Sequence, residues 1–326
     1  MEESNRNRLI SLIDNQNIKK ENIQKALELS NIFPSSKAWY KFIDQIILWF
    51  AGLSLALAMM FFIAYNWTEF GRFAKFALVE GVMILTMGLY WYLGSEKLSS
   101  KVLLLVSSIF LGVLLALFGQ TYQTGADTWQ LFFYWAMLML PWAVVGRFAG
   151  IWMLWIVLLN LSIFLYMDTF GRLFWWSMYA EQSALWVFFI FNTFVFVLWE
   201  VFSTRFEWLN SPWAIRLLGY ASGSAVTGLM LSFIWGNVTI FALLVWVAWL
   251  GAVYYVYRLQ KVDLFMLAMG CFSFSTVIVS LLLEQINFRN FDEGLMLLIS
   301  LVIIGLGTAS AMWLKSVQKE AYNASK

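Results

Sequence analysis

Glu80 is the residue of this 326-residue chain whose type and surroundings most invite chemistry. It stands in an apolar stretch, five residues after Lys75. At about 1.5 Å of rise per helical residue, it lies roughly 7–8 Å beyond the lysine along a helix axis. A carboxylate inside an apolar span costs on the order of a few kcal/mol unless it is paired, protonated or wetted. Its own helix offers poor partners: Lys75 falls about 140° around the axis and Arg72 about two turns away. The partner is expected from another span or from water. Two readings stay open, a proton-carrying carboxylate or ligand counter-ion, and a structural carboxylate hydrogen-bonded across helices.

The second feature is the polar run Gly119-Gln120-Thr121-Tyr122-Gln123-Thr124-Gly125-Ala126-Asp127-Thr128-Trp129-Gln130. It carries no basic residue. The apolar stretches on either side, Val102–Phe118 and Leu131–Gly146, are both shorter than the roughly 20 residues that cross a bilayer. Part of the run is therefore expected below the membrane surface, where polar groups are tolerated only inside protein or along a wet cavity. Asp127 and Gln130 also have the spacing of a capping box, and Gly125 suits a tight turn. Capping leaves Gln120, Tyr122 and Gln123 unexplained; their amides and hydroxyl suit a ligand or Glu80 itself.

Composition removes other chemistries. The chain has no histidine and one cysteine, Cys271. A Ser-His-Asp or Cys-His nucleophile, histidine-bound zinc, histidine-bound haem and an intrachain disulfide are all excluded. Neither GxxxxGK[ST] nor GxGxxG occurs, which argues against ATP-driven pumping by this chain alone. No cofactor is expected and the chain is not read as an enzyme. An intramembrane enzyme would have to use Glu80 and Asp127 as its acid pair, and this reading ranks last. The net charge of +2 gives no basic face for nucleic acid.

The elements that must position these residues are membrane helices. The chain is 62% hydrophobic and 12% charged, with a mean hydropathy of +0.74. A soluble domain carries about 25% charged residues, so this surface is made for lipid. Apolar runs predict an all-α polytopic fold of about ten spans: Ile43–Tyr65, Phe73–Leu93, Val102–Phe118, Thr128–Gly146, Ala149–Met167, Ala184–Thr204, Trp213–Ile234, Val238–Tyr257, Val262–Leu283 and Asp292–Lys315. Met1–Phe42 is polar and has no apolar stretch near its start, so the first span is expected to act as its own insertion signal. Of the 21 Lys and Arg, only Arg72, Lys75, Arg172 and Arg289 fall on one side of this arrangement. The rest fall in the N-terminal arm, the alternate connectors and the tail. The positive-inside rule then places both chain ends in the cytoplasm, N-in and C-in. Ten spans also divide into two halves of five, which would be inverted relative to each other as in many carriers.

Residues 1–42 read as a cytoplasmic helical hairpin, residues 43–315 as the transmembrane bundle and 316–326 as a cytoplasmic tail. The arm carries apolar turns at Leu9, Ile10, Leu12 and Ile13, then Ile18, Ile23, Ala26, Leu27 and Leu29, and ends near Pro34. It suits either a lipid-surface anchor or a docking piece for a partner. Gly219 and Gly223, with Gly52/Ala56, Gly305/Ala309 and Gly307/Ala311, are small pairs at helix-packing spacing. Asn160 and Asn192 stand mid-span and are expected to hydrogen-bond between helices. The aromatic connector Phe170–Tyr179 reads as interfacial. Asn66-Trp67-Thr68 and Asn237-Val238-Thr239 match the glycosylation pattern but hug the membrane and are read as chance.

Ala64-Tyr65-Asn66-Trp67, then Arg72-Phe73-Ala74-Lys75-Phe76, then the run from Gly119 to Asp127 form a set that resembles the bacterial membrane proteins grouped as domain-of-unknown-function family 2157. The N-terminal hairpin is similar too, and the resemblance covers about residues 1–150. Thr128 stands where proline is expected in relatives, and both suit a helix start. The resemblance implies a bacterial inner-membrane protein without a known cofactor, and it supplies no catalytic residue.

Two functions follow as expectations. The first is a carrier or ligand-binding membrane protein with an outward-facing polar pocket. Glu80 would be its charged group, Gln120, Tyr122, Gln123, Asp127 and Gln130 its mouth, and Asn66 and Arg72 contributors from the first outer loop. Its partners would be the lipid bilayer and a small-molecule or lipid ligand. The alternative is a non-transporting structural or regulatory subunit whose arm and outer connector bind envelope proteins.

Overall fold

A chain this apolar must satisfy its backbone polar groups internally, and a helix does so within one segment. The structure, a computed structural model, describes residues 9, 12–13, 18–29, 35–65, 69–170, 180–236, 240–285 and 293–324. Every regular element among them is helical: α1 (Ile23–Leu29), α2 (Ser36–Tyr65), α3 (Arg72–Leu93), α4 (Leu98–Tyr122), α5 (Thr128–Gly146), α6 (Ala149–Phe170), α7 (Ala180–Ser203), α8 (Pro212–Ile234), α9 (Phe241–Tyr254), α10 (Leu264–Glu284) and α11 (Glu293–Ala324). Among the described residues, nine helices, α3 to α11 with α9 taken on through Gln260, are long and apolar enough to cross a membrane. The first expected span, Ile43–Tyr65, lies inside the 30-residue α2. The protein is a polytopic all-α membrane protein.

Three helices run past the ends of their apolar stretches. α2 starts at Ser36, where Ser35 Oγ accepts from the Ala38 backbone N–H at 3.2 Å. Ser36–Phe42 is thus continuous with the first span. α4 runs on through Gln120, Thr121 and Tyr122, residues that are polar yet compatible with a helix. α11 runs to Ala324, so most of the expected tail continues the last span.

The chain divides into two compact units, Met1–Phe110 with Tyr322–Lys326, and Leu111–Ala321. The border falls inside α4. The compact units are therefore not two halves of five spans, because contiguity of packing, not span number, sets the border.

In the first unit, α2 approaches α4 at Gly52, where a Cβ would stand 2.9 Å from Val102 Cγ1 and 3.3 Å from Val106 Cγ2. α3 brings Met87 to 3.9 Å from Ser107 Oγ of α4. Val79, Tyr90, Leu104, Val106 and Phe110 are buried there.

In the second unit α8 is the hub, packed against α7, α9 and α10, while α5 packs on α6. Glycine makes this possible. A Cβ on Gly219 would overlap the Met266 methyl of α10, and one on Gly223 would stand 2.7 Å from the Trp249 ring of α9. α8 opens with Pro212, whose missing N–H costs nothing in the first turn. Asp263 caps α10, its Oδ1 accepting from the backbone N–H groups of Phe265 and Met266 at 2.9 and 3.2 Å. α9 ends in a π-helical segment, Tyr255–Gln260.

Candidate functional site

The polar run is built on two helix ends. α4 supplies Gln120 and Tyr122 from its last turns, with the Tyr122 ring 4.9 Å from that of Phe118. The chain then reverses through Gln123 at φ 47 and Gly125 at φ 65. Left-handed backbone is routine for glycine and strained for glutamine, so Gln123 is held there by its context. α5 begins at Thr128, with Asp127 extended at the N-cap position. The start of α5 is clamped from beside: Trp129 meets the Tyr166 ring at 5.1 Å, and Ser162 Oγ of α6 donates to the Trp129 carbonyl at 3.0 Å.

The capping box does not form. Asp127 accepts no side-chain cap bond, and the Gln130 N–H instead reaches the Asp127 backbone carbonyl at 3.0 Å. The premise of short spans also changes, because α4 reaches the length of a full crossing by taking the polar residues into its last turn. Gln120, Tyr122, Gln123 and Asp127 are exposed and Gln130 is half-buried. The side chains of Gln120, Gln123, Asp127 and Gln130 make no hydrogen bond among the described residues. The result is an exposed tip of amides, a phenol and a carboxylate. It offers donors and acceptors to a ligand or a partner, without a nucleophile held against a base.

Glu80 belongs to the first unit and this tip to the second. Glu80 is exposed on α3 and makes neither hydrogen bond nor ion pair among the described residues. Arg72, in the first turn of α3, is exposed with its guanidinium 5.3 Å from the Phe73 ring centre, so it lies over that ring and not on Glu80. Asn66 and the connector residues 171–179 lie outside the described residues, as do Asn237, Val238 and Thr239. No group of three or more His, Cys, Asp or Glu suited to a metal occurs among the described residues.

Several polar side chains inside the second unit are bonded to one another in fixed pairs, while the indole N–H groups of Trp129, Trp152 and Trp155 are buried without a hydrogen bond among the described residues. Asn160 of α6 and Asn192 of α7 exchange amide hydrogen bonds at 3.1 and 2.7 Å, and each also donates to the carbonyl four residues back. Ser222 of α8 receives the Trp249 indole N–H at 3.0 Å and meets Thr193 Oγ1 at 2.7 Å. Ser273 of α10 likewise receives Trp246 at 3.0 Å and meets Thr227 at 2.6 Å. These two hydroxyls tie α7, α8, α9 and α10 together.

A set of charged pairs closes one end of the same helices. Lys261 donates to Glu200 Oε1 at 2.6 Å, and the Tyr257 hydroxyl donates to Glu200 Oε2 at 3.3 Å. Arg216 pairs with Asp263 at 3.1 Å, and Arg258 pairs with Glu320. Sequence reasoning used these basic residues only for orientation. Their signal was present: Glu200, Asp263 and Glu320 stand at the same helix ends as their partners. The pairings span 47 to 62 residues, so no local spacing reveals them.

Residues 10–152 match the model of the family described as Predicted membrane protein (DUF2157), the family the sequence resembles. The match takes in Glu80 and the whole polar run, and stops within α6. No curated protein and no solved structure matches the chain.

Proposed function

We propose that this membrane protein is a non-transporting structural or regulatory subunit of an envelope complex, without catalysis of its own. It sits in the inner membrane with both ends cytoplasmic, and its partner docks on the face of α3 that carries Glu80. The observation that carries this reading is Glu80 itself: exposed on a spanning helix, with no partner among the described residues. A carboxylate at that depth is stabilised by a cation or donor brought from elsewhere, and a second protein's helix supplies one. The paired polar groups of the second unit add support, since they are bonded to one another and not left to line a wet route.

The exposed tip favours a second reading, the carrier or ligand-binding protein. There Gln120, Tyr122, Gln123, Asp127 and Gln130 take up a small molecule or lipid, and Glu80 exchanges the proton on which that uptake depends.

Native mass spectrometry on gently extracted wild type beside Glu80→Gln separates the two. A protein that travels with wild type and leaves with the substitution supports the subunit. A small molecule or lipid that leaves instead moves the assignment to the carrier. A partner held equally by both forms overturns docking at Glu80.

A further inference from the structure

We propose that the first unit binds an anionic phospholipid, with an acyl chain in the cleft between α2 and α4 and the phosphate at the lysines beyond its end. The cleft has a volume of about 350 Å³, within the range of small-molecule sites. Trp49, Phe50 and Leu53 form one wall, and Val102, Leu105 and Ile109 the other. Apart from the Trp49 indole these side chains hold no polar atom, so the space suits hydrocarbon.

What makes the cleft selective is what continues each wall. Lys101, Leu105 and Ile109 follow at four-residue steps, which sets them on one ridge of α4, and Lys97 stands just before its first turn, its carbonyl accepting from the Lys101 N–H at 3.2 Å. Lys41, Gln45, Trp49 and Leu53 follow at the same steps along α2. α3 returns the chain between the two helices, so α2 and α4 run in the same direction and their lysine ends lie at the same end of the cleft. Lys41 and Lys97 are exposed and Lys101 is half-buried, and none forms an ion pair among the described residues. Lys37 adds a fourth cation, against Asp44 and Glu96 on the same stretches. Lysine stems lie along apolar surface while the ammonium reaches headgroup level. An apolar slot continued by a surplus of ammonium groups matches a lipid with an anionic head. A zwitterionic lipid matches only the slot.

The test uses the full chain in bilayer discs of phosphatidylglycerol and phosphatidylcholine in equal parts, extracted into neutral detergent, with retained lipids counted by native mass spectrometry. Wild type is expected to retain phosphatidylglycerol preferentially. Lys97→Gln with Lys101→Gln should lower that preference about thirtyfold, the scale set by two headgroup-level lysines. Lys97→Arg with Lys101→Arg should keep it. Ile109→Trp, which fills the slot and leaves the charges in place, should lower retention of phosphatidylglycerol as well. Equal retention of both lipids by wild type overturns the proposal, as does an unchanged preference in the Gln pair. Displacement of the lipid by inorganic phosphate alone would also overturn it, since it would reveal an anion site that does not use the slot.

Discussion

Asn160 and Asn192 show how a pair of residues fixes two helices in lipid. Each amide has two N–H donors and one carbonyl, and the pair uses both carbonyls and reaches back to its own helices. Asn192 is only 3% exposed, so the pair is sheltered from competing water. Asn160→Leu strands the Asn192 amide and should cost about 1 kcal/mol of stability, the scale of hydrogen bonds between membrane helices. Adding Asn192→Leu should cost less than the sum of the two single changes, because the stranded group is then gone. A double-mutant cycle by unfolding in mixed micelles checks both statements, and strict additivity would remove the pair from the account. That two mid-span asparagines would bond across helices was legible from their types alone. Which serine each tryptophan would find was not, since Ser222 and Ser273 differ from other serines only in which ring the fold brings to them.

Glycine has two meanings at the scale of elements. Gly223 faces the Trp249 ring, and that ring is pinned by its indole bond to Ser222. Gly223→Leu should therefore cost about 1–3 kcal/mol, the price of overpacking a closed contact. Gly305 on α11 meets nothing within 4 Å of an added Cβ. Gly305→Leu should stay within about 0.5 kcal/mol of wild type when the monomer is melted in detergent. A large loss there would mean that α11 packs against another chain. The sequence shows both glycines in the same small-residue spacing and cannot tell them apart, because spacing reports a helix face and not what covers it. Apolar runs located the helices themselves well. They failed at the end of α4, where Gln120 and Tyr122 break the hydrophobic signal while remaining good enough helix formers to continue the backbone ladder.

For the whole molecule, the charge rule gives an orientation that labelling can test. Cys271 is the chain's one thiol, so Cys271→Ser leaves a clean background. Ala126→Cys at the exposed tip should react with an impermeant maleimide on intact cells. Asn323→Cys near the end of α11 should react only after permeabilisation. The reverse pattern would invert the molecule and move the exposed tip to the cytoplasm. The polytopic helical architecture was legible because each span is long and apolar. The border between compact units was not, since it cuts through α4 at Phe110 and Leu111, where the hydropathy is unbroken.

The π-helical segment at the end of α9 has a bearing on how this chain can change length. Its bond from the Lys261 N–H to the Val256 carbonyl, 2.8 Å, closes a ring one residue larger than an α-helix would. Deleting one residue between Tyr255 and Gln260 would let the ladder return to its ordinary step without breaking the helix. The wider ring absorbs the extra residue, so the chain beyond keeps its phase and Lys261 stays within reach of Glu200. In related chains, a one-residue gap in this segment should therefore appear with that ion pair retained.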